Sequence, residues 1–191
     1  MPKTTTLKRC TWSGSDPLMI AYHDTEWGVP VHNDRKLFEF LILEGAQAGL
    51  SWQTILRKRE NYCKAFQGFD YKKIARYGAT DTRRLLNNAG IVRNRLKIAS
   101  TILNAQALLK IQKEFGYFDK YTWQFVGGKP IDHHIKSMKD LPAKSKESDA
   151  MSKDLQSRGF KFVGSTICYA IMQAVGMVDD HVKGCFRKNL S

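Results

Sequence analysis

A chain of 191 residues, 42% of them hydrophobic, is long enough to bury a core, and its modest glycine and proline content excludes a disordered or fibrous protein. The formal net charge of +13 and the pI near 9.7 favour a polyanionic partner, nucleic acid first and an acidic membrane surface second. A basic protein that binds neither is the open alternative. We expect one domain over residues 1–191, with two lobes that share a cleft. The N-terminus carries no targeting segment and the 4 cysteines are too scattered for a disulfide framework, so a reducing cytoplasm is expected.

The predicted secondary structure is entirely helical, because helix caps recur along the chain and no stretch alternates like a strand. Asp16-Pro17 begins a first helix that runs to about Thr25, and the longest helix is predicted over residues 92–115. Residues 127–144 are predicted as a loop. The other predicted caps, in chain order, are Asn33 or Asp34, Ser51, Asp70, Thr80, Asp119 and Ser148. The sequence therefore predicts an all-α fold.

Two glycines in the last quarter of the chain mark a tight turn between two helices. Gly159 closes the first of them, and Gly164 allows a close turn before Ser165 or Thr166 caps the second. Such a hairpin presents backbone N–H groups and a helix N-terminus that can hold a phosphate. The uncharged residues 162–178 are also almost long enough for a tilted membrane span, but polar residues interrupt them and charges flank them, so a buried core helix is favoured.

Two cysteines and two histidines near the chain ends suggest a metal site. His181 and Cys185 are four residues apart and share one helical face, and folding could bring Cys10 and His23 to them. Two Cys and two His form a closed tetrahedral zinc set, which is structural because it leaves no position for water. On spacing alone this prediction is weak. Cys63 and Cys168 are predicted to be core thiols.

Glu44 stands among apolar neighbours, which is an unusual place for a solvated carboxylate. It is either a surface side chain, a partner for a nearby backbone group, or a buried acceptor for a cationic or amine-bearing ligand. The aromatic side chains close to it in sequence suit a core, and equally suit a flat π ligand. These side chains are Trp12, Tyr22, Trp27 and Trp52.

Several short motifs that extend from Cys10 to about Cys185, nearly the whole chain, are highly specific when taken together. They are Cys10-Thr11-Trp12, Asp16-Pro17-Leu18, Tyr22-His23-Asp24-Thr25-Glu26-Trp27-Gly28-Val29-Pro30, Leu43-Glu44-Gly45, Gln47-Ala48-Gly49-Leu50-Ser51-Trp52, Lys58-Arg59-Glu60, Gly90-Ile91-Val92-Arg93, Arg158-Gly159-Phe160-Lys161-Phe162-Val163-Gly164 and Asp180-His181. With these motifs the chain resembles the 3-methyladenine DNA glycosylase I family of the helix-hairpin-helix superfamily.

The resemblance implies a helix-hairpin-helix fold with a zinc-binding cap that joins the two ends, and one structural zinc per chain on Cys10, His23, His181 and Cys185. It also implies a monomer that hydrolyses the N-glycosidic bond of 3-methyladenine in alkylated double-stranded DNA. Glu44 would be the catalytic and base-binding carboxylate, with Trp12, Tyr22, Trp27 and Trp52 around the base. The DNA contacts would come from Gly49, Leu50, Lys161, Gly164, Ser165 and Thr166.

Within those contacts, Gly49-Leu50 is the predicted wedge into the duplex, and Lys161 and the hairpin are predicted to bind phosphate. Bifunctional relatives place a Schiff-base lysine two residues past the hairpin Val-Gly. That position is Thr166 here, so we expect no strand cleavage.

Three positions depart from the expected pattern of the family. Ala46 stands where glutamine is common and Met19 where an aromatic is common, and both are expected to alter the pocket wall. Asp179 stands where the superfamily keeps a catalytic aspartate and this family often has asparagine, so its role is open. Excision of 3-methylguanine or 7-methylguanine is open too. The rival interpretation is a non-catalytic helix-hairpin-helix and zinc module, which the Glu44 cluster argues against.

Overall fold

The computed structural model describes residues 7–189, most of which lie in helices. Within that range the helices are α1 (Pro17–Thr25), α2 (Asp34–Gln47), α3 (Trp52–Ala65), α4 (Tyr71–Ile74), α5 (Ala79–Leu86), α6 (Arg95–Phe115), α7 (Phe118–Trp123), α8 (Lys146–Ser157) and α9 (Ser165–Ala174). Short 3-10 helices cover Thr11–Ser13, Gln67–Phe69, Gln124–Val126, Met138–Asp140 and Phe186–Asn189. The apolar faces of α2, α6 and α9 converge in one core.

Side-chain caps begin most of these helices where the sequence predicts them. Asp16, Asn33, Ser51 and Asp70 each accept hydrogen bonds from backbone N–H groups of the first helical turn that follows. These N–H groups have no partner inside a helix, so each cap satisfies an otherwise unpaired donor. The predicted starts of α1 to α4 are confirmed.

Other predicted boundaries are wrong by a few residues. Helix α5 follows Gly78 rather than Thr80, and the long helix begins after Asn94, which caps it, rather than at 92. Ser145, not Ser148, caps α8, and Ser148 lies buried inside that helix. In each case a competing cap residue stands close by in the sequence.

The start of α7 is also misplaced, for a tertiary reason. Tyr117 precedes this helix, and Asp119 lies inside its first turn. The carboxylate that accepts from the N–H groups of Phe118 and Asp119, at 2.9 and 2.8 Å, belongs to Asp34 of α2. The cap therefore comes from a distant element that sequence reasoning did not consider.

A small parallel strand pair corrects the all-α prediction. Strand β1 (Ile131–Asp132) pairs with β2 (Val178–Asp179), with Ile131 opposite Val178 and Asp132 opposite Asp179. β1 lies in the stretch predicted as loop, and two residues are too short to show an alternating pattern. The pair ties the 127–144 segment to the chain that follows α9.

The apolar run near the C-terminus forms a short core helix followed by β2. Within residues 7–189, no helix combines the length and apolarity needed to cross a membrane. Cys168 on α9 is buried as predicted, whereas Cys63 on α3 is exposed, so its prediction as a core thiol is wrong. Tyr62 takes the buried position beside it.

Candidate functional site

A cavity of about 290 Å³ lies between the N-terminal segment, α2, α3 and α9. It brings together Glu44, Trp12, Tyr22, Trp27 and Trp52, all of the residues predicted to bind a base. The remaining lining residues come from elsewhere in the chain: Met19, Gln47, Met138, Leu141, Ala170 and Gln173. The size, the aromatic walls and the few polar groups are typical of a small-molecule site.

Glu44 is the carboxylate of this cavity. It projects from the last turn of α2, is only 5% exposed, and forms no hydrogen bond with any group in residues 7–188. Burial raises the pKa of Glu44 from its ordinary value near 4.5 to about 8. Because Glu44 is largely buried and forms no hydrogen bond within residues 7–188, the surface and backbone-partner interpretations of this residue are wrong.

The aromatic walls are packed against each other at fixed angles. The Trp12 ring meets that of Trp27 edge-on at 5.0 Å between centroids, and the Tyr22 and Trp52 rings lie 5.2 Å apart. Burial and the nearby charge of Glu44 raise the pKa of Tyr22 well above its ordinary value, so its hydroxyl stays protonated. These contacts hold the rings in place around the cavity before any ligand enters.

One buried cluster, the metal-ligand group, contains the four predicted metal ligands Cys10, His23, His181 and Cys185. The Cys185 Sγ lies 3.5 Å from His23 Nε2 and 3.6 Å from His181 Nδ1, and the Cys10 Sγ lies 3.7 Å from His181 Nδ1. All four ligand atoms lie within 4.8 Å of one another. A tetrahedral ion with bonds of about 2.3 Å to sulfur and about 2.0 Å to nitrogen separates such atoms by about 3.6 Å. The group therefore has the geometry to hold a metal ion.

The surroundings of the two histidines fit that use. His23 Nδ1 lies 2.8 Å from an Asp24 oxygen, and His181 Nε2 lies 3.2 Å from the Trp27 carbonyl oxygen. Each imidazole thus has one nitrogen oriented by an acceptor and the other facing the cluster, as metal-binding histidines do. Burial lowers the pKa of His181 to about 4 and that of His23 in the same direction, which keeps both rings in the neutral, ligating form.

The metal-ligand group and the cavity share a wall at Trp27. The Trp27 ring lines the cavity, and its centroid lies 4.6 Å from that of His181. Gly28 follows at a φ of +79°, and a Cβ there would lie 3.0 Å from His181 Nε2. Only glycine allows this close approach, so the cluster fixes the position of a cavity wall.

The helix-hairpin-helix of the prediction corresponds to α8, the turn at residues 158–164, and α9. Gly159 has a φ of +92°, as predicted. Gly164 is itself the N-cap residue of α9, so neither Ser165 nor Thr166 caps it, and the Ser165 hydroxyl lies 2.9 Å from that of Ser148. Gly164 and Thr166 are exposed.

Lys161 lies in this turn with its side chain exposed. The Asn104 side chain anchors its backbone, accepting from Lys161 N at 2.8 Å and donating to Lys161 O at 3.0 Å. The neighbouring Phe162 Cβ would lie 3.3 Å from a Cβ on Gly45, beside Glu44. The hairpin is therefore held firmly against the helix that carries the carboxylate.

The predicted wedge, Gly49-Leu50, lies at the end of the same helix. Leu50 is 41% exposed, and Gly49 has a φ of +78°. Lys97 Nζ donates to the carbonyl oxygens of Ala46 and Ala48 at 2.7 and 2.6 Å, which satisfies the end of α2 and braces the loop. An apolar side chain is thus presented to solvent on a rigid support.

The basic run of α3 is engaged within the protein. Arg57 donates to Asp16 at 2.8 Å, and Arg59 forms ion pairs with Glu26 and Glu39. Lys58 donates to the Ala89 carbonyl oxygen. These cations contribute to the fold, and Lys161 is the more accessible cation for a phosphate.

Of the three unusual positions, only Met19 lines the cavity. Ala46 is 3% exposed in the core and is not among the lining residues, so its expected effect on the pocket wall is not direct. Asp179 accepts from the backbone N–H of His181 and lies 3.1 Å from Lys188 Nζ. It too lies outside the cavity lining.

Sequence reasoning missed the lining residues that come from distant segments. Met138 and Leu141 lie in the stretch predicted as loop, and no local pattern distinguishes them. Gln173 offered a signal, because it is a polar residue inside an otherwise apolar run. Its significance becomes visible only once α9 is packed beside α2.

Comparisons with known proteins agree with this geometry. The family model described as methyladenine glycosylase matches residues 12–188. DNA-3-methyladenine glycosylase 1 of Escherichia coli is 50% identical over 94% of this chain and 96% of its own length. A crystal structure of a 3-methyladenine DNA glycosylase I is 51% identical and superimposes with a TM-score of 0.92, covering 94% of this chain and 98% of that one. A structure of the 3-methyladenine DNA glycosylase I from Staphylococcus aureus, which concerns 3-methyladenine recognition, is 38% identical. It superimposes with a TM-score of 0.92 and covers 95% of this chain and 97% of that one.

Proposed function

This chain belongs to the methyladenine glycosylase family, and we propose that it releases 3-methyladenine from alkylated double-stranded DNA by hydrolysing the N-glycosidic bond and leaving an abasic site. The observation that carries the proposal is Glu44, a buried carboxyl without a hydrogen-bond partner in residues 7–188, inside a cavity walled by aromatic rings. Its chemistry suits a flat cation, and 3-methyladenine in DNA is one.

The cation accounts for how this cavity selects its base. Burial keeps Glu44 largely protonated near pH 7 in the empty cavity, because its pKa is about 8. A positive charge about 4 Å away stabilises the carboxylate by about 4 kcal/mol at an effective dielectric constant of about 20, enough to return the pKa of Glu44 toward its ordinary value. A neutral adenine offers no such gain. The aromatic faces of Tyr22 and Trp52 favour the cation as well.

The same charge explains why few catalytic groups are needed. Methylation at N3 makes the base cationic, so it leaves neutral and its glycosidic bond is already weak. The protein has to find the base, extrude it from the stack and hold it, which costs a few kcal/mol and is cheapest for a damaged base. Thr166 offers no amine for a Schiff base, which supports release of the base without cleavage of the strand.

DNA would be held by the hairpin and the wedge. Leu50 would enter the duplex where the base is extruded, while Lys161 and the N-terminal residues Gly164, Ser165 and Thr166 of α9 bind phosphate. This arrangement needs one copy of the chain, acting as a single domain. Affinity for undamaged duplex should fall steeply between about 50 and 200 mM salt, and a flat response contradicts phosphate-driven binding.

One structural zinc ion per chain is the best occupant of the Cys10, His23, His181 and Cys185 group. Two thiolates and two neutral imidazoles suit zinc, and four protein ligands leave no position for a reacting water. Burial raises the pKa of Cys10 to about 12, so its thiolate needs a cation beside it. A reducing cytoplasm is the proposed location, where the four cysteines, none of them in a disulfide, would stay reduced. Elemental analysis of protein purified without added metal should find zinc near one per chain.

Incubating the protein with methylated DNA and identifying the released bases tests the function. Free 3-methyladenine should appear, with abasic sites in intact strands. Binding of the DNA without release of any base would favour a non-catalytic helix-hairpin-helix module. Strand breaks formed together with the free base would contradict a purely hydrolytic reaction.

A further inference from the structure

Gln173 is the polar side chain that α9 contributes to the cavity, and it is attached to a buried carboxylate behind the cavity wall. Its Nε2 donates to the Asp180 Oδ2 at 2.8 Å. Asp180 is 1% exposed. The Tyr169 hydroxyl donates to the same oxygen at 2.5 Å, and His133 Nδ1 lies 2.7 Å from Oδ1.

This environment fixes which way the Gln173 amide points. The Asp180 Oδ2 accepts hydrogen bonds from both the Tyr169 hydroxyl and Gln173 Nε2, so the amide nitrogen faces Asp180. A flipped amide would place two oxygens in contact in a buried site, which is costly. The Oε1 therefore lies on the other side of the amide, and no group in residues 7–188 donates to it. The backbone supports the position, because the Gly28 N–H donates to the Gln173 carbonyl oxygen at 3.0 Å.

We propose that Gln173 Oε1 accepts a hydrogen bond from the exocyclic amine of the extruded base and so selects a 6-aminopurine over a 6-oxopurine. This inference rests on the proposed function. Adenine carries an amino donor at position 6, whereas guanine carries a carbonyl acceptor there. Opposite a fixed Oε1, the guanine carbonyl would leave two buried acceptors facing each other. Sites built to bond a donor reject analogues that lack it far more strongly than apolar sites reject a change in size.

The test compares two methylated bases in the wild type and one variant. Gln173→Met keeps the length and apolar volume of the side chain but removes the acceptor. Release of 3-methyladenine and of 3-methylguanine is measured from the same methylated DNA under single-turnover conditions. The ratio of the two rates should fall at least tenfold in the variant, mainly through slower release of 3-methyladenine. Equal loss for both bases, or an unchanged ratio, overturns the inference.

Tyr169→Phe is the matched control, because it removes another donor from Asp180 without touching the cavity. Its ratio should stay at the wild-type value. If Tyr169→Phe lowers the ratio as much as Gln173→Met, the Asp180 network and not Oε1 is responsible, and the inference fails. Gln173→Leu replaces the Met variant if that variant does not fold, as judged by thermal melting. A wild-type protein that releases neither base contradicts the proposed function itself. A wild-type protein that releases both bases at equal rates agrees with the proposed function and overturns only this inference.

Discussion

The metal-ligand group and the cavity lie on opposite sides of Trp27, and both are built from buried polar side chains. In the group, the four ligand atoms face one another, and both histidines have an orienting acceptor behind them. In the cavity, Glu44 has no hydrogen-bond partner in residues 7–188, although it is only 5% exposed. The first arrangement is complete when an ion binds, and the second stays incomplete until a ligand enters.

This difference separates polar groups that a bound ion would satisfy from a buried carboxyl that no group in residues 7–188 satisfies. Burying a satisfied ligand set contributes binding free energy to folding. Burying a lone carboxyl opposes folding, and protonation only reduces the cost. Proteins retain such costs where activity needs them.

Removing one metal ligand should produce the largest effect. Cys185→Ala breaks the group, so the free energy of unfolding should fall by several kcal/mol, on the order of 4 or more. Urea unfolding of the wild type and variant, each with and without a chelator, measures this. The chelator should destabilise the wild type and leave the variant unaffected. Cys63→Ala, an exposed thiol, is the control and should be neutral. If the wild type is equally stable with and without metal, no bound ion stabilises the fold, and the contrast between the metal-ligand group and the cavity fails.

Removing the charge of Glu44 should affect chemistry instead. Glu44→Gln keeps the shape and one acceptor, so the fold survives while stabilisation of the cation is lost. Release of 3-methyladenine should slow at least tenfold, since each loss of about 1.4 kcal/mol is a factor of about ten. Single-turnover rates on methylated DNA measure it. Binding to undamaged duplex, which depends on phosphates, should hardly change. Equal losses in binding and release would point to a damaged fold.

The same variant should reveal the stability that the carboxyl costs. The folded state binds the Glu44 proton more tightly than the unfolded chain, because burial raises its pKa to about 8. Stability conferred by the protonated form is therefore lost as pH rises through that range. Relative to Glu44→Gln, the wild type should lose about 3 kcal/mol of unfolding free energy between about pH 5 and about pH 8. Urea titrations at several pH values measure this difference in unfolding free energy. If the free energies of the two proteins change in parallel with pH, burial of the Glu44 carboxyl does not cost stability.

The sequence predicted the parts of the molecule that local chemistry determines. Asp16, Asn33 and Ser51 cap helices because their short polar side chains satisfy the N–H groups beside them. The metal ligands and Glu44 carried signals in residue type, and the family resemblance supported both. All of the predicted base-binding residues line one cavity.

What the sequence could not provide depends on contacts between distant segments. The cap on α7 comes from Asp34, eighty-four residues before Phe118. Strand β1 exists because β2 lies beside it, since two residues carry no pattern of their own. Met138 and Gln173 face the same cavity only after α9 and the loop pack together. Propensity and periodicity act over a few residues, so such placements lie beyond them.

The smallest effect is expected at Asp179, which decides whether the cavity alone carries the chemistry. Asp179 lies outside the cavity lining, where its Oδ1 accepts from His181 N at 3.1 Å and its Oδ2 lies near Lys188 Nζ. Asp179→Asn keeps an acceptor for that N–H and loses mainly the attraction to Lys188. The ion pair is largely buried, but Lys188 keeps its other partner, Asp132, so stability should fall by only about 1 to 2 kcal/mol. Release of 3-methyladenine should stay within a few-fold of the wild type.

The pair of variants Asp179→Asn and Glu44→Gln, measured in one assay, separates the two assignments. An aspartate that activates water would make Asp179→Asn the slower enzyme by orders of magnitude, with Glu44→Gln near normal. Such a result would move the reacting group from the incomplete cavity to the neighbourhood of the metal ligands, because Asp179 stands two residues before His181. The geometry argues for the opposite ranking, since a group outside the cavity cannot reach a base held inside it.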